Sequence, residues 1–199
     1  WRDVGMMRPK GVITKQVFKG IEPKSMVQIA FHGPFEWTRQ NRYDFQSMIE
    51  VLRIKLREVL REDKGGVYGV QVVGAPSLYP RKEYSINIGF GCAPERVDEL
   101  VNAVMQQIDT LKLKKPDESY IEKVKEIQRR EREVNLKENR FWVNSFRTYY
   151  ANNENPEDIF EHSKMIDSLQ GAAMQQAAKK YFDMKDMAKA VLYPEKKPN

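Results

Sequence analysis

The segment 83–91 constrains the fold of this chain more than any other feature, because its side chains alternate between apolar and polar at every step. One face of an extended segment would carry Tyr84, Ile86, Ile88 and Phe90, and the other would carry Glu83, Ser85, Asn87 and Gly89. Strict alternation is typical of a β-strand with one buried face. The sequence therefore predicts a sheet that helices cover on one side, with a wetter face on the other.

Four further segments have the composition and alternation of strands. They are 12–19, 26–32, 67–74 and 187–193. Turn-forming residues at 20–25 separate the first two, so we expect those strands to pair as a hairpin.

Between the strands, apolar residues recur at three- and four-residue steps, which predicts helices. The predicted helices cover 39–62, 94–111, a long stretch from 116 onward, 156–167 and 169–182. Lys64-Gly65-Gly66 is expected to end the first helix, because glycine readily adopts the left-handed conformation of a helix C-cap. The aromatic cluster at 141–150 is interpreted as core packing.

These elements predict an α+β fold with a largely antiparallel sheet and helices packed on one face. A chain of 199 residues is long enough for one substantial core, so we expect a single domain over 1–199. The chain starts without Met and without the apolar stretch of a signal peptide. We therefore expect it to be part of a longer chain with several domains.

The net charge of +6 permits attraction to acidic partners, but Lys and Arg are interspersed with Glu over 112–140. That pattern predicts a solvated helix face, and no basic patch with interleaved aromatic residues is present, so we expect no nucleic-acid partner. No apolar run approaches membrane length, so no membrane span is expected. The single cysteine, Cys92, is interpreted as a buried structural thiol.

The chain contains only two histidines, so few imidazole ligands are available for a metal site of its own. His32 is interpreted as a structural or surface residue. The segment 158–162 resembles the inverted zinc motif H-x-x-E-H with Asp158 in place of the first histidine. No further ligand is identifiable, and Asp158 and Glu161 also suit the first turn of a helix, so we predict no metal-binding residue in this chain.

The segment 60–70 carries a more specific pattern, in which Arg61 precedes Tyr68 by seven residues in a Gly-Gly-Val-Tyr-Gly-Val setting. This resembles the arginine and tyrosine pair in the C-terminal half of the pitrilysin/insulinase family of zinc peptidases. The preceding helix, the strand at 86–90 and the ending at 172–194 also resemble that family. The resemblance covers about residues 11–194.

In that family, two halves of two similar α/β domains each close over a peptide, and the N-terminal domain carries the zinc. The resemblance implies that this chain is a non-catalytic, substrate-enclosing C-terminal domain of a zinc metalloendopeptidase. Arg61 and Tyr68 would then donate hydrogen bonds to the substrate backbone near the scissile carbonyl. Ser85 and Asn87 are further candidates for lining the peptide chamber. From the residues alone, the favoured interpretation is that Arg61 compensates a helix C-terminus and Tyr68 is an ordinary strand residue, and the resemblance over the whole chain favours the functional one.

The resemblance also implies zinc in the parent enzyme, bound outside this chain, because the helix at 39–62 contains no histidine. Its implied partners are a peptide or unfolded polypeptide substrate and a catalytic domain in cis or a catalytic subunit in trans. The alternative function is a non-catalytic scaffold or recognition subunit of a heteromeric processing peptidase. The residues leave the compartment open, and the range of the family suggests a bacterial periplasm or cytoplasm.

Overall fold

A computed structural model describes residues 2–5, 7–63, 65, 67 and 69–195. Its strands are β1 (Val12–Phe18), β2 (Ser25–Pro34), β3 (Val70–Ser77), β4 (Glu83–Cys92) and β5 (Met187–Tyr193). They form one sheet in the spatial order β1-β5-β2-β4-β3. β1 and β5 pair in parallel and the other three pairs are antiparallel, so the predicted α+β fold with a largely antiparallel sheet is confirmed.

The expected hairpin of β1 and β2 is wrong, because β5 lies between them. Val12 pairs with Met187 on one side of β5, and Met26 pairs with Leu192 on the other. Adjacent strands lie about 4.8 Å apart, so the connection at 19–24 is long enough to pass over one intervening strand. The turn residues mark the end of β1 correctly and carry no information about its neighbour.

The helices are α1 (Arg39–Arg57), α2 (Val97–Leu113), α3 (Glu118–Asn135), α4 (Asn139–Ala151), α5 (His162–Asp167) and α6 (Gly171–Tyr181). A π-helical segment, Glu58–Asp63, continues α1, and 3-10 turns cover Pro94–Arg96 and Pro156–Glu161. The single long helix expected from 116 is interrupted at 136–138. The Trp142 indole N–H donates to the Leu136 carbonyl at 3.0 Å, which satisfies an acceptor left free where α3 ends.

The core lies between the sheet and the helices. Alternate residues of β2 and β4, such as Ile29 and Ile88, are fully buried against the apolar stripe of α1, which includes Phe45 and Leu52. α2 and α6 complete this layer. On the opposite face of the sheet, side chains such as Asn87 remain exposed, which confirms the one-sided burial predicted from residues 83–91.

The aromatic residues of 141–150 do not belong to this core. They lie on α4, none of whose residues is buried, and α4 packs mainly against the 3-10 turn Pro156–Glu161. The prediction of core packing is therefore wrong for this helix. An apolar pattern shows that a helix has a face to cover, and it does not show that the sheet covers it.

Candidate functional site

Arg61 lies in the π-helical segment Glu58–Asp63, between residues that anchor this part of the chain. Leu60, immediately before it, is fully buried, and Val67, beyond the turn, is also buried. Arg61 itself is exposed. Its side chain makes no hydrogen bond or ion pair with any residue that the structure describes. The fold thus presents, on an anchored segment, a guanidinium that has no partner among the described residues.

The end of this segment depends on Gly65. The Gly65 backbone N–H donates to the Arg61 carbonyl at 3.1 Å, and the Gly65 φ of +56° lies in the left-handed region. Glycine adopts that region without the strain that a Cβ causes. The predicted glycine stop is confirmed at Gly65, whereas Lys64 and Gly66 lie outside the described residues. Short π-helical turns occur frequently at functional sites.

Tyr68 also lies outside the described residues. β3 begins two residues later, at Val70. The pairing of Arg61 with Tyr68 therefore remains a prediction.

Contacts with α3 anchor the start of the π-helical segment. The Glu58 carboxylate accepts hydrogen bonds from the Tyr120 hydroxyl at 2.6 Å and from the Lys123 ammonium at 3.0 Å. Burial alone would raise the pKa of Glu58, but these two donors and the charges of Lys123 and Lys55 hold it below its usual value. The Lys55 ammonium also lies 4.2 Å from the centre of the Tyr120 ring. The carboxylate is thus bound to α3 in its charged form.

A cavity of about 380 Å³ lies beside the turn, at the end of the sheet where Ser25 pairs with Cys92. Its lining is Pro23, Lys24, Gly65, Val67, Cys92, Ala93 and Arg96. The described part of this lining holds two cations and no carboxylate. Cys92 is buried as expected, and burial raises the pKa of its thiol. Reaction of this thiol as a thiolate is therefore disfavoured.

Ser85 and Asn87 lie on the open face of the sheet, at different distances from the turn. Val70, the first residue of β3, pairs with Phe90. Measured along β4 from Phe90, Asn87 lies three residues away, about 10 Å, and Ser85 lies five residues away, about 17 Å. Asn87 is therefore nearer the end of the sheet that carries the Arg61 turn, and Ser85 is not close to it.

Two residues on this face, Gln28 and Gln71, were not predicted from the sequence. Both pair with Gly89, from opposite sides, and both are exposed. A Cβ placed on Gly89 would lie 2.6 Å from the Gln28 amide nitrogen, so the Gln28 side chain extends over Gly89. Each primary amide can donate and accept, as a peptide backbone requires. The sequence signal for both was their place as polar residues within the predicted strands 26–32 and 67–74, where they would face away from the core.

The histidines are held in separate surroundings. His32 lies on the open face opposite Ser85. Asp158 forms an ion pair with Arg39 at 3.6 Å, and Glu161 forms one with Lys164 at 2.7 Å. Across the described ranges, no three His, Cys, Asp or Glu side chains gather into a group that could hold a metal ion. The residues described here do not fit a zinc site.

His162 packs against Tyr43, with the two rings edge to face and their centroids 5.6 Å apart. Burial, together with the nearby guanidinium groups of Arg132 and Arg39, lowers the pKa of His162. The neutral imidazole is therefore favoured in the folded chain.

The fold and the exposed arginine turn define an α+β domain with helices on one face of its sheet and a free polar face on the other. Residues 8–128 match the family described as the peptidase M16 inactive domain. The chain therefore belongs to the M16 peptidase family, and the resemblance to pitrilysin/insulinase peptidases is confirmed.

Individual relatives agree with this membership. Over 107 residues, the chain is 31% identical to the probable zinc protease PqqL of Haemophilus influenzae. The aligned region covers 51% of this chain and 11% of that protein. The periplasmic protease PqqL from Escherichia coli superposes with a TM-score of 0.83 at 18% identity, covering 96% of this chain and 21% of the other. The ferredoxin protease FusC, in complex with Arabidopsis ferredoxin, superposes with a TM-score of 0.79 at 18% sequence identity. The superposition covers 94% of this chain and 21% of the FusC chain.

The structural likenesses extend the shared fold to almost the whole chain, well beyond residues 8–128. The chain nevertheless spans only about a tenth of the curated relative and about a fifth of these two solved chains. Among the described helices, none is long and apolar enough to cross a membrane.

Proposed function

We propose that this chain is the C-terminal, non-catalytic domain of a zinc-dependent metalloendopeptidase and encloses the peptide substrate opposite the zinc-binding domain. One observation carries the proposal: an exposed arginine without a partner among the described residues lies in the segment that leads into β3, in a domain whose sheet has one open face with few charged side chains. Membership of the peptidase M16 inactive-domain family supports the non-catalytic role.

The composition of the open face suits an extended peptide. On its four strands β2 to β5, the face includes Gln28, Ala30, Gln71, Val73, Ser85, Asn87, Gly89, Ala188 and Ala190. These side chains are small or carry neutral amides and hydroxyls, which hydrogen-bond backbone groups without selecting for charge. Lys15 adds a cation on β1, at the edge of the sheet, and Glu83, which forms an ion pair with Arg8, adds an anion at the start of β4. Such a wall accepts peptides of varied sequence.

Arg61 would act on the substrate as a hydrogen-bond donor. Its guanidinium is always charged and is free of competing contacts with the described residues. When water is excluded from a closed chamber, such a donor stabilises negative charge developing on the scissile carbonyl oxygen. Tyr68, as a phenol donor, would share this role. The anchoring of the segment through Leu60 would hold the donor in place for the transition state.

Zinc would be bound by another domain, in cis or on a catalytic subunit in trans, where it would activate the attacking water. The description of the Haemophilus relative as a probable zinc protease supports zinc in the parent enzyme. The FusC complex with ferredoxin supports a polypeptide substrate, and the periplasmic Escherichia relative supports the bacterial periplasm as the compartment.

The test is peptide hydrolysis by the full-length parent protein carrying Arg61→Ala or Tyr68→Phe. Arg57→Ala is the matched control, because Arg57 is also exposed and lies one turn earlier. We expect Arg61→Ala to lower kcat/KM by about 100- to 1000-fold, the range for loss of one oxyanion donor, with zinc content and Tm unchanged. Wild-type kcat/KM in both site variants would contradict the proposed roles.

The zinc content of the parent separates the proposal from its alternative. A parent polypeptide with one zinc and an H-x-x-E-H motif supports a catalytic domain in cis. A parent with neither is instead a scaffold or recognition subunit that needs a catalytic partner.

A further inference from the structure

The outward face of α4 carries an apolar stripe that is largely exposed, and its Phe146 ring contacts the described part of the chain at Trp142, with the ring centroids 5.9 Å apart. Val143, Phe146 and Tyr150 are 66%, 39% and 74% exposed. Together with Arg147, they lie on one side of the helix. Val143, Phe146, Arg147 and Tyr150 are at positions i, i+3, i+4 and i+7, so their side chains form one continuous surface. A solvent-facing helix surface is ordinarily polar. We call these four residues the α4 stripe.

The other face of α4 already has its partner. Trp142 lies 6.2 Å from the Phe160 ring of the neighbouring 3-10 turn, and Phe141 and Tyr149 are half-buried. Even so, α4 has no fully buried residue. An isolated helix of its length, 13 residues, is marginal in water. The helix therefore has apolar residues on two faces, and only one of those faces is covered.

The positive charge on α4 indicates which kind of partner surface would suit the α4 stripe. Arg147, itself part of the α4 stripe, and Arg140 lie along one edge of this surface, and α4 contains no acidic residue. Neither arginine has an ion-pair partner in the described part of the chain. A second copy whose α4 packs antiparallel across a two-fold axis would bring these like charges together. A complementary surface is apolar at its centre and acidic along one edge.

We infer that the α4 stripe is the docking surface for a neighbouring domain of the same polypeptide, which presents an apolar groove flanked by carboxylates. This inference rests on the proposed function to the extent that it requires a longer parent chain. The relatives support that requirement, because almost the whole of this chain superposes on only 21% of the Escherichia PqqL chain. Several domains of this size are available there to cover an exposed face.

Hydrogen exchange of the full-length parent tests the inference at the backbone amides of Asn139–Ala151. In the wild type we expect slow exchange over this helix. Phe146→Asp with Tyr150→Asp should accelerate it at least tenfold. Arg147→Glu should accelerate it as well, and Arg147→Lys, which keeps the charge, should not. The control is Ile21→Asp with Leu113→Asp, at positions that are 88% and 80% exposed, and it should leave this helix unchanged.

Fast exchange of Asn139–Ala151 in the wild-type parent, at the rate of the exposed turns, would overturn the inference. Equal rates in wild type and Arg147→Glu would overturn the acidic partner. Protection that disappears on dilution, with a matching loss of mass in sedimentation, would assign the surface to a second copy instead. Peptide hydrolysis is a separate measurement: normal activity of both the Arg61→Ala and the Tyr68→Phe variants would reject the site and leave the docking surface standing.

Discussion

The side chain of Gln28 lies across Gly89, its partner on the adjacent strand. A Cβ at Gly89 would approach the Gln28 amide nitrogen to 2.6 Å and the amide oxygen to 3.1 Å. The absence of a side chain at Gly89 is therefore what allows this amide to lie flat over β4. Gln71 pairs with Gly89 from the other side, so two amides flank one bare backbone position.

Gly89→Ala should move the Gln28 amide with little effect on stability, because the contacting atoms are the end of a flexible, exposed side chain. We expect a change of less than about 0.5 kcal/mol in the free energy of unfolding. In the full-length parent, KM for a peptide should rise about fivefold, as expected for one weakened hydrogen bond. Urea denaturation and steady-state kinetics measure the two effects.

Gly74→Ala is the matched control, since Gly74 also lies within a strand but faces the core. Its Cβ would approach Ile49 to 2.6 Å and Phe45 to 2.7 Å, and both of these side chains are buried. Overpacking of this kind costs about 1–3 kcal/mol. Equal stability of the two variants would contradict this account of Gly89.

Local pattern was sufficient to predict which residues of β4 face the core. The alternation of a strand follows from its backbone geometry, so Ile86 and Asn87 were assigned to the correct faces without any tertiary information. The neighbour of β1 could not be predicted, because the choice of β5 depends on a segment more than 160 residues later. The partner of the α4 stripe is equally non-local.

The site was predicted only in part, for the same reason. Alternation placed Ser85 and Asn87 on the open face, but their distances from the turn depend on where β3 starts along β4. Gln28 and Gln71 become neighbours of Gly89 only once the register of both strand pairs is known. The apolar stripe of the first helix indicated the burial of Leu60, and the structure leaves Arg61, the next residue, exposed.

Leu60→Ala should destabilise the chain and release the segment that carries Arg61. Leu60 is fully buried, and truncation of such a leucine costs about 2–5 kcal/mol. Val59→Ala, at the neighbouring and half-buried position, should cost less. The midpoint of urea unfolding measures both. A larger loss for Val59→Ala than for Leu60→Ala would contradict the anchoring role.

Glu58→Gln should lower stability at neutral pH and have progressively less effect in acid. The pKa of Glu58 is lower in the folded chain than its ordinary value of 4.5, because the Tyr120 and Lys123 hydrogen bonds outweigh its burial. The unfolded chain therefore binds the proton more readily, and the stabilising contribution is lost as the pH falls from about 4.5 through the folded pKa. Urea unfolding at pH 7, 5 and 3.5 should show the difference shrinking. A constant difference would reject the charged contact.

His162 should give a pH dependence in a separate and higher window. Its pKa lies below the ordinary 6.5, through burial and the charges of Arg132 and Arg39, so the folded chain binds its proton more weakly than the unfolded chain. As the pH falls below 6.5, wild type loses stability by at most about 1.4 kcal/mol per pH unit from this group. His162→Phe keeps a ring against Tyr43 and removes the titration. Its Tm should therefore fall less steeply than that of wild type between pH 7 and 5, and His32, present in both proteins, cancels from the comparison. Parallel Tm curves over this range would show that His162 takes up its proton equally well in both states.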